Sequence, residues 1–279
     1  MTERERLEKA DLESIRLRGE TPNTSYSSGF TPESLKQVME DAKQVRQTAL
    51  ENAKKALEDA FKPQNMKVIG IAGYARCGKD TFVGIARQIL SEHGYNPIRI
   101  AFADELKKEV QSMLQQNKFV GTIYDETPDG KKFNRPLLVW WGCQRRIESP
   151  DGLYWVNRAN DAIRSKITNY SNLNSLVFLV SDVRFLNEAE WVHNSWNGKV
   201  IHLKRYAIDK LETTEKQDVF VYDPAPNEEE AKNDPLVERV ADYKVEWENK
   251  GKLTSEEAIQ NPYLREIVYG VLQEMKLVT

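Results

Sequence analysis

The sequence predicts an α/β fold, a three-layer arrangement in which a parallel β-sheet is flanked by helices, with an N-terminal helical extension. Three observations support this prediction. After residue 65, short apolar runs of strand length alternate with amphipathic helical patterns. A glycine-rich loop joins the first apolar run to the first helix. Residues 1–65 instead carry a polar segment and one long helical pattern. Strands buried on both faces have continuous apolar sequences, so this order indicates a parallel sheet covered on both sides.

The N-terminal region, residues 1–65, is predicted to be separate from the main domain, residues 66–279. It begins with a polar segment and a linker rich in Ser, Thr and Gly. Thr31 and Pro32 supply an N-cap and a first-position proline, which predict a helix that ends near Phe61. The apolar stripe of this helix is short and rich in alanine, which favours packing on the main domain. Pairing with a second copy in a homodimer is the alternative.

The main domain is predicted to alternate strands with helices. Strands are expected, from apolar runs, at residues 67–72, 98–102, 176–180, 199–203 and 243–247. Helices are expected, from helical periodicity and end signals, at residues 79–93, 104–116, 135–146, 153–168, 184–194 and 255–276. Residues 117–132 are predicted to form a polar loop, and residues 206–240 are strongly acidic. Ligands bind at the carboxyl ends of the strands in such sheets, so polar residues after each strand are candidate site residues.

The composition narrows the class of protein. The chain has 279 residues, of which 40% are hydrophobic and 30% charged, enough for one α/β domain of about 200 residues with additions. The net charge of −3 argues against a nucleic-acid-binding protein. We expect no membrane span and no secretion signal, because no apolar run is long enough. The two cysteines lack metal-site spacing, which indicates a reducing, cytoplasmic compartment.

The glycine-rich loop follows the first predicted strand and has the pattern Gly-x-x-x-x-Gly-Lys. Gly73 and Gly78 allow consecutive backbone N–H groups to turn inward around a phosphate. The helix that follows adds a partial positive charge, and Lys79 adds a full one. Strand, loop and helix in this order predict a site for the triphosphate of a nucleotide, and they disfavour a chance match on a surface loop.

One residue departs from the usual phosphate-loop pattern. The position after the lysine normally carries a Ser or Thr whose hydroxyl binds Mg²⁺, whereas this chain has Asp80 there and Thr81 one place later. A carboxylate binds Mg²⁺ directly or through water. Asp80 and Thr81 are therefore both candidate metal ligands.

The segment FADELK follows the second predicted strand and begins a helix. This segment places Asp104 and Lys107 at the edge of the sheet where a second substrate would lie. The alternative for Asp104 is a structural one, in which its carboxylate caps the helix.

A second acidic segment, SDVR, follows the third predicted strand. An acid at the end of a buried strand beside a phosphate loop is the usual second anchor for Mg²⁺, which makes Asp182 a candidate ligand. Arg184 is a candidate for binding a phosphate in bidentate fashion. In the alternative, Asp182 caps the next helix and Arg184 pairs with Glu188.

The segment RPLLVWWGCQRR places arginines at both ends of a predicted helix with aromatic residues between them, and Tyr154-Trp155 follows. Arginine binds a phosphate and an aromatic ring stacks on a flat base, so this segment suits a nucleotide acceptor. The alternative is that the tryptophans are core residues, and we expect at least one of Trp140, Trp141 and Trp155 to be buried.

Together these motifs resemble those of the deoxynucleoside monophosphate kinases of tailed bacteriophages, within the wider P-loop nucleoside monophosphate kinase superfamily. The matching segments are GYARCGKDT, FADELK, RPLLVWWGCQRR, YW and SDVRFLNEAEW, from about residue 66 to residue 205. The chain is also similar to phosphomevalonate kinases and, more distantly, to dephospho-coenzyme A kinases.

The resemblance implies that ATP with Mg²⁺ donates a phosphoryl group to a deoxynucleoside 5′-monophosphate, in the host cytoplasm if the chain is encoded by a phage. It implies catalytic roles for Lys79, Asp182 and Arg184. It assigns to ATP binding Gly73, Arg76, Cys77, Gly78, Lys79, Asp80 and Thr81. It assigns to the acceptor Asp104, Lys107, Arg135, Gly142, Arg145, Trp155 and Arg184. The implied Mg²⁺ ligands are Asp80, Thr81 and Asp182.

In that superfamily a lid follows the fourth strand, which places it at about residues 205–240, where acidic residues outnumber basic ones. Two other functions stay open at this stage: a related small-molecule phosphate kinase of the phosphomevalonate or dephospho-coenzyme A type, and a non-catalytic nucleotide-binding module. The arginines at positions 135, 145 and 184 argue against the module, because a protein that only binds ATP needs no second anion site.

Overall fold

The structure is a computed structural model that describes residues 37, 40–49, 52, 66–210, 218–249, 251 and 253–279. The chain divides into two units, residues 1–61 and 62–279. In the first unit, residues 40–49 are helical, as predicted, and the ends of the predicted helix lie outside the described residues. The part of the chain that is described contains no helix with the length and apolarity needed to cross a bilayer.

The second unit contains six strands in its described residues. Their bounds are β1 Lys67–Ala72, β2 Asn96–Ile100, β3 Leu176–Val183, β4 Lys199–Lys210, β5 Asp218–Tyr222 and β6 Tyr243–Glu248. Eight α-helices accompany them in the described part of this unit. Their bounds are α1 Lys79–Glu92, α2 Phe102–Gln116, α3 Pro128–Glu148, α4 Tyr154–Ile167, α5 Leu186–Trp196, α6 Glu228–Val240, α7 Ser255–Gln260 and α8 Pro262–Glu274.

The sheet has the order β2-β3-β1-β4, and both β5 and β6 pair with β4. All of these pairings are parallel except the one between β4 and β5. Strand β6 pairs with the first half of β4, Ile201 to Tyr206, and β5 pairs with its second half, Tyr206 to Lys210. Because β1 lies between β3 and β4, the loop after β1 emerges in the middle of the carboxyl edge, where this topology places ligands.

Two apolar clusters cover the two faces of the sheet, because alternate residues of each strand point to opposite sides. One face of β1 presents Ile69 and Ile71 to a cluster that includes residues of α1, α7 and α8. The other face presents Val68 and Ala72 to a cluster that includes residues of α4 and α5. The predicted three-layer α/β fold is therefore confirmed.

Several predicted boundaries were wrong, for identifiable reasons. Helix α3 begins at Pro128 inside the predicted polar loop, because Thr127 accepts a hydrogen bond from the Gly130 N–H and so caps the helix. The predicted helix 255–276 is two helices, because Asn261 caps a new one that has Pro262 in its first turn. The acidic segment, for which no strand or helix was predicted, contains β5 and α6. Tertiary pairing with β4 and packing on the sheet determine both elements.

The loop between β1 and α1 is packed tightly against the neighbouring strands. Gly78 has φ +103°, and a methyl group added there would overlap the indole of Trp247 on β6. That indole is fixed in turn, because its Nε1–H donates to the Cys77 carbonyl oxygen at 2.8 Å. Gly94, which follows α1, also has a positive φ of +80° but has open space around it.

We predict that Gly78→Ala destabilises the protein more than Gly94→Ala does. Both substitutions place a side chain in the left-handed region, which costs roughly 1–2 kcal/mol. Only Gly78→Ala also forces the Trp247 indole to move, which adds about 1–3 kcal/mol. Urea unfolding of both variants measures the difference, and equal losses of unfolding free energy would show that the loop does not depend on this close contact.

Candidate functional site

The glycine-rich loop, Gly73 to Gly78, contains three residues whose backbone has a positive φ. Gly73 and Gly78 both have positive φ, and so does Arg76, at +70°. Lys79 is only 8% exposed, and its Nζ donates to the carbonyl oxygens of Gly73 and Tyr74 at 2.7 Å each. The lysine therefore lies folded over the loop, at the N-terminus of α1, where the helix dipole also favours an anion.

Cys77 is a buried residue of the glycine-rich loop. Its thiol is buried, and an added methyl group on Gly73 would crowd its sulfur. Burial raises the pKa of this thiol, and the nearby Lys79 charge only partly opposes that effect. Cys77 is thus a packing residue of the loop, and its carbonyl oxygen accepts from Trp247 Nε1.

A cavity of about 440 Å³ opens beside the loop at the carboxyl edge of the sheet. Its lining includes Ala75 of the loop, Asp182 near the end of β3 and Arg184, which follows β3. Apolar side chains from α2, α3 and α4 line the middle, among them Phe102 and Trp155. The rest of its polar lining comes from α2, α3 and the segment between them, from Glu188 of α5 and from Glu229, Glu230 and Asn233 of α6. The cavity therefore joins the loop to a mixed apolar and charged chamber.

Asp182 is held against the start of α2. The N–H groups of Phe102 and Ala103 donate to its two carboxylate oxygens at 2.9 Å each. Loss of hydration nevertheless raises the pKa of this carboxyl above its ordinary value. The carboxylate thus caps α2 rather than α5, and a cation beside it would stabilise its charged form.

Arg184 reaches across to α6. Its Nη1 lies 3.1 Å from Glu230 Oε1, so its side chain pairs with Glu230 and not with Glu188 as the structural alternative predicted. Glu188 instead accepts hydrogen bonds from the backbone N–H groups of Arg184 and Phe185. Arg184 and Glu188 are therefore linked through the backbone, and the guanidinium of Arg184 remains at the cavity.

The adjacent arginines on α3 point in different directions. Arg146 lines the cavity, stacks over the Phe185 ring at 4.0 Å and lies 3.4 Å from Glu188. Arg145 was predicted to bind the acceptor, but it is not among the described residues that line the cavity. Its guanidinium pairs with Glu109 at 2.6 Å and with Glu148 at 3.1 Å.

Glu109 on α2 organises the opposite side of α3. It accepts hydrogen bonds from Tyr154 Oη at 2.5 Å, from Trp141 Nε1 at 2.9 Å and from Arg145 Nε. Burial opposes ionisation of Glu109, but these hydrogen bonds outweigh burial and lower the pKa of the carboxyl. Arg145 is therefore part of a structural cluster between α2, α3 and α4.

Helical spacing separates the two arginines. Residues of α3 that line the cavity include Arg135, Leu138, Gly142 and Arg146, which recur at intervals of three or four positions. Trp141, Arg145 and Glu148 recur on the other side at the same intervals. Gly142 was a predicted acceptor residue, and Arg146 lies four positions later on the same face of the helix. Helical spacing alone would therefore have identified Arg146 from the sequence.

The other predicted acceptor residues are distributed between these two environments. Arg135, Lys107, Gly142 and Trp155 line the cavity. Trp155 is 2% exposed, and its Nε1 donates to the Gly142 carbonyl oxygen at 3.0 Å, so it is both a core residue and a cavity wall. Asp104 lies apart from the lining and pairs with Arg99 at 2.6 Å.

Lys107 pairs with Glu126 at 2.6 Å, and Lys131 pairs with the same carboxylate at 2.8 Å. Hydrogen bonds from these two lysines lower the pKa of Glu126 to about 2. This trio, with Asp125 and Asn134 beside it, makes one part of the cavity wall strongly polar.

Helix α6 supplies acidic residues that the sequence did not assign to the site. Glu230, Asp234 and Glu238 recur every four residues along one face of α6. Asp234 Oδ2 lies 3.0 Å from Nε2 of the buried His202, and Glu238 pairs with Lys204 at 2.6 Å. The last part of the predicted lid region is thus an acidic helix held against β4.

Asp80 is exposed in the first turn of α1, and Thr81 is half-buried next to it. The described residues contain no group of three or more His, Cys, Asp and Glu side chains arranged to hold a metal ion. Carboxylate and hydroxyl oxygens are nevertheless the ligands that Mg²⁺ takes when phosphates supply the others. The role of Asp80, Thr81 and Asp182 as Mg²⁺ ligands stays a prediction.

Two kinases are among the solved structures that are similar to this chain. Dephospho-CoA kinase from Campylobacter jejuni matches with a TM-score of 0.36 and 14% identity over 75% of this chain and 96% of that one. Shikimate kinase from Acinetobacter baumannii, in complex with shikimate, matches with a TM-score of 0.31 and 13% identity over 78% of this chain and 96% of that one. No family model and no curated protein matches. These likenesses are too distant to support conclusions about the reaction.

Glu188 gives the site a measurable pH dependence. Burial raises the pKa of its carboxyl from 4.5 to about 7, although the Arg146 charge partly opposes this shift. Between these pH values the folded chain holds a proton that the unfolded chain has lost. The contribution of Glu188 to stability is therefore greatest below about pH 4.5 and is lost as the pH rises through 7.

We predict that Glu188→Gln removes this dependence. Relative to the variant, the wild-type protein should lose up to about 3 kcal/mol of unfolding free energy between pH 5 and pH 8. Urea unfolding of both proteins across this range measures how the difference in their unfolding free energies changes with pH. Any effect of the substitution that does not vary with pH cancels from this change. A difference that stays flat with pH would mean that Glu188 is ionised throughout.

Proposed function

We propose that this chain is an ATP- and Mg²⁺-dependent phosphotransferase that converts deoxynucleoside 5′-monophosphates to diphosphates, with release of ADP. The observation that carries the proposal is one cavity that joins Ala75 of the glycine-rich loop to the cationic side chains of Arg184 and Arg146. A kinase for a phosphorylated acceptor needs two adjoining anion sites, one for the donor and one for the acceptor. A single phosphate-binding site would have suited a simple nucleotide-binding protein.

The loop and α1 form the donor end. The inward backbone of Gly73 to Gly78, the start of α1 and the Lys79 ammonium are suited to the phosphates of ATP. In the ligand-free chain Lys79 donates to two loop carbonyl oxygens, so its charge is already held at the loop. Binding of a triphosphate then requires little reorganisation of this residue, which favours catalysis by positioning.

The acceptor end is formed by Arg184, Arg146 and Arg135. Arginine is suited to this role because its planar guanidinium binds phosphate oxygens in pairs. Arg146 takes the place that the sequence resemblance gave to Arg145, since the latter is occupied by Glu109 and Glu148. The ring stacked beneath Arg146, Phe185, fixes its plane toward the cavity.

The reaction requires no strong general base. An oxygen of the acceptor phosphate is already anionic, so it attacks the γ-phosphorus of ATP as the bond to the β–γ bridging oxygen breaks, and ADP leaves with that oxygen. The protein then contributes alignment of the two phosphates and neutralisation of their charge. Bound Mg²⁺ would supply further charge neutralisation, and Asp80, Thr81 and Asp182 are the residues that would hold it.

The middle of the cavity supports a nucleotide over a small aliphatic acceptor. Phe102, Trp155 and Phe185 line it together with aliphatic side chains, and aromatic walls suit a flat base. The polar wall at Lys107 and Glu126 offers hydrogen-bonding groups. The preference for deoxyribose rests on the sequence resemblance alone. The main alternative, a phosphate kinase of the phosphomevalonate or dephospho-coenzyme A type, would use the same anion sites.

The first experiment is a coupled ADP-release assay with ATP and Mg²⁺. The acceptors are the four deoxynucleoside monophosphates, the matching ribonucleotides, phosphomevalonate and dephospho-coenzyme A. We expect turnover of at least one deoxynucleotide that exceeds turnover of its ribonucleotide. Turnover of phosphomevalonate or dephospho-coenzyme A alone would reject the nucleotide acceptor, and ATP binding without any turnover would indicate a binding module.

In the same assay we predict that Lys79→Ala lowers kcat by at least about a hundredfold. The substitution removes the positive charge that would stabilise the transferred phosphoryl group. Lys132→Ala is the matched control, since Lys132 is exposed on α3 and should leave turnover unchanged. Thermal melts establish that both variants are folded. Full turnover by Lys79→Ala would contradict the role of the loop.

The neighbouring arginines of α3 provide a second test. Arg146→Ala should raise KM for the acceptor by roughly 10- to 100-fold, because a charged hydrogen-bond donor is lost from the acceptor site. Arg145→Ala should change KM little but lower the unfolding free energy by about 1–2 kcal/mol, because Glu109 loses a partner. The opposite pattern would restore Arg145 as the acceptor residue.

A further inference from the structure

The first turn of α6 places a carboxylate directly on the glycine-rich loop. Glu230 is the third residue of α6, and its side chain is only 8% exposed. Asn227 caps the helix by accepting a hydrogen bond from the Glu230 N–H at 2.9 Å, and its amide nitrogen lies 3.5 Å from Glu230 Oε1. These contacts fix the direction of the Glu230 side chain.

Glu230 joins the two halves of the site. Its Oε2 accepts a hydrogen bond from the Ala75 N–H at 2.7 Å, and its Oε1 lies 3.1 Å from Arg184 Nη1. The first donor belongs to the loop after β1 and the second follows β3. A single carboxylate therefore lies between the donor end and the acceptor end of the cavity, and it lines that cavity itself.

The two donors that hold Glu230 are of the kind that bind phosphate. A backbone N–H of a glycine-rich loop and an arginine guanidinium are both recurrent phosphate ligands. A carboxylate oxygen and a phosphate oxygen accept hydrogen bonds from them in the same way. The Ala75 N–H is a single donor, so a phosphate oxygen that accepts from it must take the place of the Glu230 carboxylate, and the like charges of the two groups repel at this separation.

The rest of α6 is anchored independently of this contact. Asp234 pairs with His202 and Glu238 pairs with Lys204, both one or two turns further along the helix. Release of Glu230 therefore leaves α6 attached to β4. Only the Glu230 side chain and the first turn need to move.

We propose that Glu230 occupies an anion subsite formed by the Ala75 N–H and Arg184, and that a phosphate group displaces it when substrate binds. This inference rests on the proposed function for the identity of the substrate. The phosphate belongs either to ATP or to the acceptor, and the subsite lies where the transferred group would pass between them. Displacement frees Arg184 for the phosphate and makes Glu230 a competitor that lowers the affinity of the ligand-free protein.

The test compares Glu230→Gln with Glu228→Gln. Both substitutions remove one negative charge from the first turn of α6. Glu228, however, is exposed and is not among the described residues that line the cavity. Calorimetric titrations use ATP alone and then deoxynucleoside monophosphates alone. We expect Glu230→Gln to lower Kd at least about fivefold for one of these ligands, and Glu228→Gln to change it less than twofold. The ligand that gains affinity identifies the phosphate that takes the subsite.

Weaker or unchanged binding by Glu230→Gln would overturn the proposal and make Glu230 a residue that positions Arg184. Absence of binding by all three proteins would overturn it as well. Thermal melts establish folding, and Glu230→Ala, which removes the same carboxylate, serves if Glu230→Gln does not fold. Tighter binding by Glu230→Gln, with no transfer to any acceptor in the ADP-release assay, would support the subsite and reject the proposed function.

Discussion

The close packing of the glycine-rich loop on the carboxyl ends of β4 and β6 is the constraint on which the rest of the site depends. Gly73 and Gly78 have no room for a side chain, since the β4 backbone and the Trp247 indole fill that space. This packing fixes the backbone of the loop, in which the Ala75 N–H donates to Glu230 and the Cys77 N–H donates to the Tyr74 carbonyl oxygen. Ala75 of this loop lines the cavity, and the Lys79 ammonium is held on the Gly73 and Tyr74 carbonyl oxygens.

Charge balance is the second feature that shapes the site. An anion-binding loop with no ligand leaves donors without partners, and desolvated donors of this kind cost free energy. In this chain the acidic face of α6 lies beside the loop, and Glu230 accepts from both Ala75 and Arg184. Within the acidic segment, the Glu230 carboxylate thus supplies an acceptor to both donors.

The division of α3 into two faces explains how neighbouring arginines acquire different roles. Glu109 accepts from Arg145, Trp141 and Tyr154, so one face joins α3 to α2 and α4 as part of the framework. The opposite face, with Gly142 and Arg146, forms a wall of the cavity. A structural ion pair on one side therefore positions the residues that contact the chamber on the other.

The sequence by itself determined the α/β class, β1, the glycine-rich loop and the position of Lys79, because these depend on local patterns of apolar residues, glycines and charge. It also identified Asp182 and Arg184, since residues that follow buried strands must reach the carboxyl edge. Only the tertiary structure decided what those side chains contact. Glu230 lies 155 residues beyond Ala75 and reaches it because α6 packs beside β1 and β4. Interactions over such distances leave no periodic signal in the chain.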